Sequence, residues 1–190
     1  MSNFAARLKE LRDHQVEVIQ TGRKKRFTPS AEFTATVAND NRRTLSAEEE
    51  EVVAGLELLG QSLGKEEAAE NEAAITKATQ ELKDKGNTPE AQKTFKEQME
   101  AAREKSKDRA LKNVDKVYDE AIKVGEAFPA SQSAILSAVE KIDNFFTELF
   151  GKIVDFVVKI VDEIVVWVNK AWNEIKSTFN KIGNWISSWF

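Results

Sequence analysis

Apolar side chains are spread unevenly along this chain, and where they cluster decides which helices it can build. From Ile135 to Phe190, 28 of 56 residues are Val, Ile, Leu, Phe or Trp; between Ala47 and Ala127, only 16 of 81 are large and apolar, Met and Tyr included. Polar residues in the tail recur at Lys141, Asn144, Glu148, Lys152, Asp155, Lys159, Asp162, Asn169, Asn173, Ser177 and Lys181. Spacings of three, four and seven are helical, and strict alternation is absent. They trace one narrow polar stripe, centred on Lys152, Asp155, Lys159 and Asp162. The rest of the circumference is apolar, and a helix of that kind is normally buried in protein or in lipid.

The residues expected to make that contact are Phe145, Phe146, Phe150, Ile153, Phe156, Val157, Ile160, Val161 and Ile164. Further along they are Trp167, Val168, Trp172, Ile175, Trp185, Trp189 and Phe190, so all four Trp fall in the last 24 positions. A transmembrane helix needs roughly 18 or more nearly uncharged apolar residues, and the longest uncharged run in the apolar centre is Ile164 to Asn169. Three covers remain: the rest of the chain, a second copy or partner protein, and a bilayer. Terminal Trp and Phe suit the headgroup level of a membrane. The balance of six Lys against six Asp plus Glu from Lys141 to Phe190 does not favour simple adsorption to anionic lipid.

Upstream, a first helix with Ser2 as its N-cap carries Phe4, Leu8, Leu11, Val18 and Ile19 near one face and stops at Thr21-Gly22. Arg23, Lys24, Lys25 and Arg26 form the densest basic run. A cationic turn after a helix C-terminus explains it most simply, with phosphate or nucleic-acid contact a minor alternative. Phe27 to Thr44 has no helical stripe and reads as an extended, flexible connection, with a short strand conceivable around Phe33 to Val37. Ser46 and Glu49 match a capping box, and Val52, Leu56, Leu59 and Leu63 follow at helical spacing. Gly60 to Glu66 imitates a phosphate loop but has the wrong spacing and Glu in place of Ser or Thr; its glycines mark a bend or a close helix contact.

Lys65 to Lys85 is Ala-rich and polar, with Ile75 and Leu82 its only large apolar residues. Gly86, Thr88 and Pro89 predict a stop and restart: Gly at C′, Thr at the N-cap, Pro at N1. The next helix is predicted from Thr88 to Val124, about 55 Å long, and antiparallel to the one before it. Phe128-Pro129 breaks it, and Ser131 caps a final helix that would be about 80 Å long if continuous, with kinks or breaks expected at Gly151 and Gly183.

Composition narrows the chemistry. The chain has 190 residues, a net charge of −4, no Cys and one His. Disulfides, thiolate metal sites and thiol catalysis are excluded, and the mild charge predicts no nucleic-acid partner. His14 is expected to be solvated. Glu66, Glu67, Glu70 and Glu72 form the one acidic group that could attract a divalent cation. No catalytic residue, metal site or cofactor is assigned, and a non-enzyme is expected. The N-terminus has no secretory h-region, so cytosolic synthesis is expected, with an active form that is released or membrane-associated.

The expected fold is all-α: an elongated bundle of about four helices with a long, strongly apolar C-terminal helix. Residues 1–45 form a basic helix and flexible arm, 46–127 a polar antiparallel hairpin and 131–190 the apolar amphipathic segment, together one folded unit. In general design the chain is similar to α-helical pore formers, in which polar helices store an apolar one; the similarity is one of pattern and carries no residue across. The expected function is therefore membrane-active: a soluble form converts to an oligomeric, membrane-inserted, pore-forming or lytic form through the C-terminal helix. Its partners are the lipid bilayer and further copies of the chain. The alternative is a non-enzymatic scaffold that uses the same helix to self-associate or to dock a partner protein.

Overall fold

The structure, a computed structural model, describes residues 3–22, 27–28, 46–164 and 170–190. Among the described residues the chain is all-helical, with no strand. Its helices are α1 (Asn3–Thr21), α2 (Ala47–Asp84), α3 (Pro89–Ala127), α4 (Gln132–Asp162) and α5 (Ala171–Trp189), with a 3-10 turn at Pro129–Ser131. Ser2, the Arg23–Arg26 run and the connection with its conceivable strand lie outside the described residues, except for Phe27 and Thr28.

Local chemistry sets the ends of these helices. Ser46 and Glu49 close the expected capping box: the Ser46 N–H donates to the Glu49 carboxylate at 2.8 Å, and the Glu49 N–H donates back to the Ser46 hydroxyl at 3.3 Å. At the α2–α3 turn, Gly86 adopts φ 73° and Asn87 φ 54°. The Asn87 N–H reaches the Leu82 carbonyl at 3.2 Å and the Gly86 N–H reaches that of Lys83 at 3.0 Å. This is a Schellman stop, where Gly lacks the Cβ that makes a left-handed residue strained. Thr88 Oγ1 then accepts the Ala91 N–H at 3.2 Å and starts α3 with Pro89 in its first turn.

Contacts divide the chain along lines that composition does not suggest. One compact unit is Met1–Gly60 with Leu111–Thr147; the other is Gln61–Ala110 with Glu148–Phe190. The first therefore draws on α1, the start of α2, the end of α3 and the start of α4. Its core includes Phe4, Leu8, Ile19, Leu56, Val114, Val117, Tyr118, Ile135, Ile142 and Phe145. The second draws on the end of α2, the start of α3, the end of α4 and α5, around Ile75, Leu82, Phe95, Met99, Ile153, Phe156, Ile160, Ile175, Phe179 and Ile186.

Within every helix the buried positions recur at intervals of eleven. In α3 they run Ala91, Ala102, Asn113; Phe95, Ser106, Val117; and Met99, Ala110, Ala121. In α4 they run Ile135, Phe146, Val157; Ala138, Leu149, Ile160; and Ile142, Ile153, Ile164. In α5, Ala171 and Ile175 repeat as Ile182 and Ile186. Three turns of an ideal helix take about 10.8 residues, so this repeat keeps one stripe nearly in line with the axis.

Among the described residues the tail forms two helices, α4 and α5, but neither expected glycine breaks it: Gly151 and Gly183 both lie inside continuous helix, since a single glycine costs a helix only about 1 kcal/mol and packing overrides that. The described part of the reversal is the turn at Glu163 and the non-helical Lys170 (φ −120°, ψ 3°). Gly60, by contrast, is a close contact as expected: a Cβ there would meet Ile142 at 3.2 Å.

Two glycine substitutions test this packing in opposite directions. A methyl at Gly125 would overlap the Phe4 ring, whereas one at Gly151 meets nothing within 4 Å. Gly125→Ala is expected to destabilise by about 1–3 kcal/mol through overpacking. Gly151→Ala should stabilise by about 0.5–1 kcal/mol. Urea unfolding of the two variants beside the parent chain checks both signs.

Candidate functional site

The end of α4 and α5 form an antiparallel pair. Lys159 Nζ lies 3.3 Å from Glu174 Oε2. The Phe156 and Phe179 rings meet edge to face with centroids 5.9 Å apart, and Lys152 Nζ sits 4.9 Å above the Trp185 ring. Aromatic pairs of this geometry add about 0.5–1.5 kcal/mol beyond area burial. The tail thus covers part of its own apolar surface by folding back.

The residues expected to contact membrane or partner separate into groups. Phe145, Phe146, Ile153, Phe156, Val157, Ile160, Ile164 and Ile175 are buried; Phe145 and Phe146 belong to the first unit and the rest to the second. Phe150, Val161, Trp185, Trp189 and Phe190 are half-buried. Trp172 is 51% exposed and holds Lys83 Nζ 5.8 Å from its ring. Trp167 and Val168 lie outside the described residues. The stripe Lys152, Asp155, Lys159 and Asp162 is exposed along its length. On α5, aliphatic residues and Phe179 fill the interior, while Trp172 flanks this apolar face on one side and Trp185 on the other.

Two buried polar clusters were not expected. In the second unit the Glu67 carboxylate is 4% exposed. It accepts from Asn71 Nδ2 at 2.6 Å, from the Ser106 hydroxyl at 2.6 Å and from Arg109 Nε at 3.0 Å. Glu67 therefore leaves the acidic group assigned to a possible cation and turns inward to Arg109, where pairing satisfies a charge that burial would otherwise penalise. In the first unit the Tyr118 hydroxyl donates to Asp143 Oδ2 at 2.5 Å. Gln15 Nε2 donates to the Asp143 main-chain carbonyl and to Thr147 Oγ1, each at 3.1 Å. Burial pushes the Asp143 carboxyl up to about 8, outweighing the downward pull of the Tyr118 hydrogen bond, and the Glu140 charge adds to the rise. Burial, then Asp143, drives the Tyr118 hydroxyl far above its ordinary range.

The eleven-residue register is the signal that exposes most of these polar residues. Asn71 stands between Gly60 and Leu82, Glu67 between Leu56 and Ala78, and Ser106 between Phe95 and Val117, each on a buried ladder. Gln15 falls eleven residues after Phe4. Tyr118 and Asp143 carry no such mark. His14, expected in solvent, is half-buried, its ring 5.4 Å from that of Phe27. Among the described residues, no group of three or more His, Asp or Glu is placed to hold a metal ion.

Comparison with protein-family models, curated proteins and solved structures finds no match for the chain.

Removing the Glu67 carboxylate strands three donors at once. Glu67→Ala is expected to destabilise by about 2–3 kcal/mol, less than for a fully buried ion pair because water reaches Arg109. In a double-mutant cycle with Ser106→Ala the two costs should fall short of additivity. Equilibrium denaturation of the four chains measures it.

Proposed function

We propose that this is a membrane-active helical protein that engages a bilayer through the pair formed by the end of α4 and α5, and then assembles with further copies of itself. The observation that carries the reading is the placement of the α5 tryptophans. Trp172, Trp185 and Trp189 retain solvent contact beside a stripe of Ile175, Phe179, Ile182 and Ile186 that the fold keeps buried. Lys176, Lys181, Asn173, Asn180 and Ser177 lie on the exposed side of the same helix. An aromatic edge of this kind makes first contact with headgroups, and opening the pair then exchanges protein cover for lipid. Such a conversion requires only that lipid cover the apolar stripe better than the fold does.

Among the described residues, no helix is long and apolar enough to cross a membrane. The reading therefore places α5 in the interface plane, with the exposed Lys152, Asp155, Lys159 and Asp162 stripe facing water, or lining a pore once copies assemble. The strongly apolar character of the tail belongs to this same proposal.

The test uses the full chain with neutral and anionic liposomes, following dye release and tryptophan emission together. Release with a blue shift is the expected result. Trp172→Ala should bind vesicles about tenfold more weakly, the equivalent of losing ~1.5 kcal/mol of large side-chain burial, and its surface position leaves the fold intact. Neither release nor shift on either lipid would replace this reading with the scaffold one, in which a second copy or partner protein covers the same residues.

A further inference from the structure

The least charged of the described helices is α5. Three of its 19 residues carry charge, Glu174, Lys176 and Lys181, and seven are Asn, Ser or Thr; α3, by contrast, has 18 charged residues among 39. Spacings of four, three and four set Asn173, Ser177, Asn180 and Asn184 in one line along the middle of its outward side, and all four are exposed. Lys176 and Lys181 stand to either side of that line. Ile175, Phe179, Ile182 and Ile186 occupy the opposite, buried side.

The surroundings add no net positive field. Glu174 is met by Lys159 at 3.3 Å and by Lys170 at 3.6 Å. On the α4 stripe, Lys152 and Lys159 are matched by Asp155 and Asp162. Ser187 and Ser188 donate their hydroxyls to the main-chain carbonyls of Gly183 and Trp185, at 3.1 and 2.7 Å, so the donor of each is spent within the helix. We propose, resting on the membrane reading of the same helix, that α5 selects its bilayer by lipid packing and not by charge. The surface it takes is one with gaps between the headgroups, as on a highly curved membrane, whether or not the lipids are anionic.

An interfacial helix is held by burial of its apolar side among the acyl chains and by attraction of a basic polar side to anionic lipid. A strongly basic side holds a helix at the surface before any side chain has entered, so close packing of the lipids matters less. On α5 that second contribution is small: two Lys against one Glu leave a single net positive charge. Its hold must come from the apolar side and from the tryptophans at its borders. These are wide groups. The Trp185 and Trp189 rings, packed edge to face at 5.8 Å, make one broad wedge at the end of the helix, and an indole enters only where a gap of its own size is open. Affinity therefore follows the supply of gaps, which curvature increases, and salt has little to screen.

The test follows tryptophan emission and co-flotation of the full chain with phosphatidylcholine vesicles about 30 nm and about 200 nm across, each with and without roughly a third phosphatidylserine, at low and high salt. The expected result is binding about tenfold tighter to the small vesicles at equal lipid, little altered by phosphatidylserine or by salt. Asn180→Lys combined with Asn184→Lys places two cations on the exposed line without touching the core, and circular dichroism checks that the helices are kept. This double variant should gain binding to the large anionic vesicles and lose that gain at high salt. Equal binding of the parent chain to both sizes, or binding that requires phosphatidylserine and falls with salt, would overturn the packing selectivity and leave the membrane reading standing. Binding to none of the vesicles would overturn both.

Discussion

The fold depends on a single geometric condition: each helix must keep its buried residues in line over its length. Helices of 38 and 39 residues, such as α2 and α3, would rotate a strict seven-residue stripe away from their neighbours unless they wound around one another. An eleven-residue repeat removes most of that drift. It lets small and large residues share one ladder, as Ala110 and Ala121 do with Met99, and Ser106 with Phe95 and Val117. It also lets the polar middle helices, poor in large apolar residues, contribute to a core at all. Their buried stripe is narrow but continuous.

The same register explains why polar side chains sit inside. A ladder position is buried whatever residue occupies it, so Glu67, Asn71, Ser106 and Gln15 must find partners or cost the desolvation of each unpaired group. They do so across helices, Glu67 with Arg109 and Gln15 with Asp143. Apolar contacts tolerate small slips between helices, whereas these bonds require one alignment. The polar residues therefore give up some burial energy and fix which residues face each other.

What could be read in advance was the chemistry of neighbours in sequence. The Ser46–Glu49 box, the Gly86 stop, the Thr88 cap and the break at Phe128-Pro129 each involve groups a few residues apart, and the structure has all four. The reversal between α4 and α5 was hidden because no Gly or Pro marks it; the apolar run continues through Ile164 to Trp167 as if the helix did. Glu67 and Asp143 were hidden for a different reason. Each acts through residues far along the chain, and for Glu67 only the eleven-residue register, not its acidic neighbours, indicates that it faces inward. The exposed stripe at Lys152, Asp155, Lys159 and Asp162 was legible because a polar period within one helix is itself a local pattern.

The aromatic residues divide between the two compact units in a way that gives each its own optical label. The chain has one Tyr and four Trp. Tyr118 belongs to the first unit, and every Trp falls in the stretch Glu148–Phe190 of the second. Fluorescence excited at the red edge of protein absorption arises from tryptophan alone and so reports the second unit, while the ultraviolet resonance Raman bands of the lone tyrosine, resolved from those of tryptophan, report the first. A chain that unfolds in one cooperative step gives coincident curves from the two signals; separated curves would show that the units come apart in turn. The protein therefore records its own degree of cooperativity without an added dye or an engineered residue.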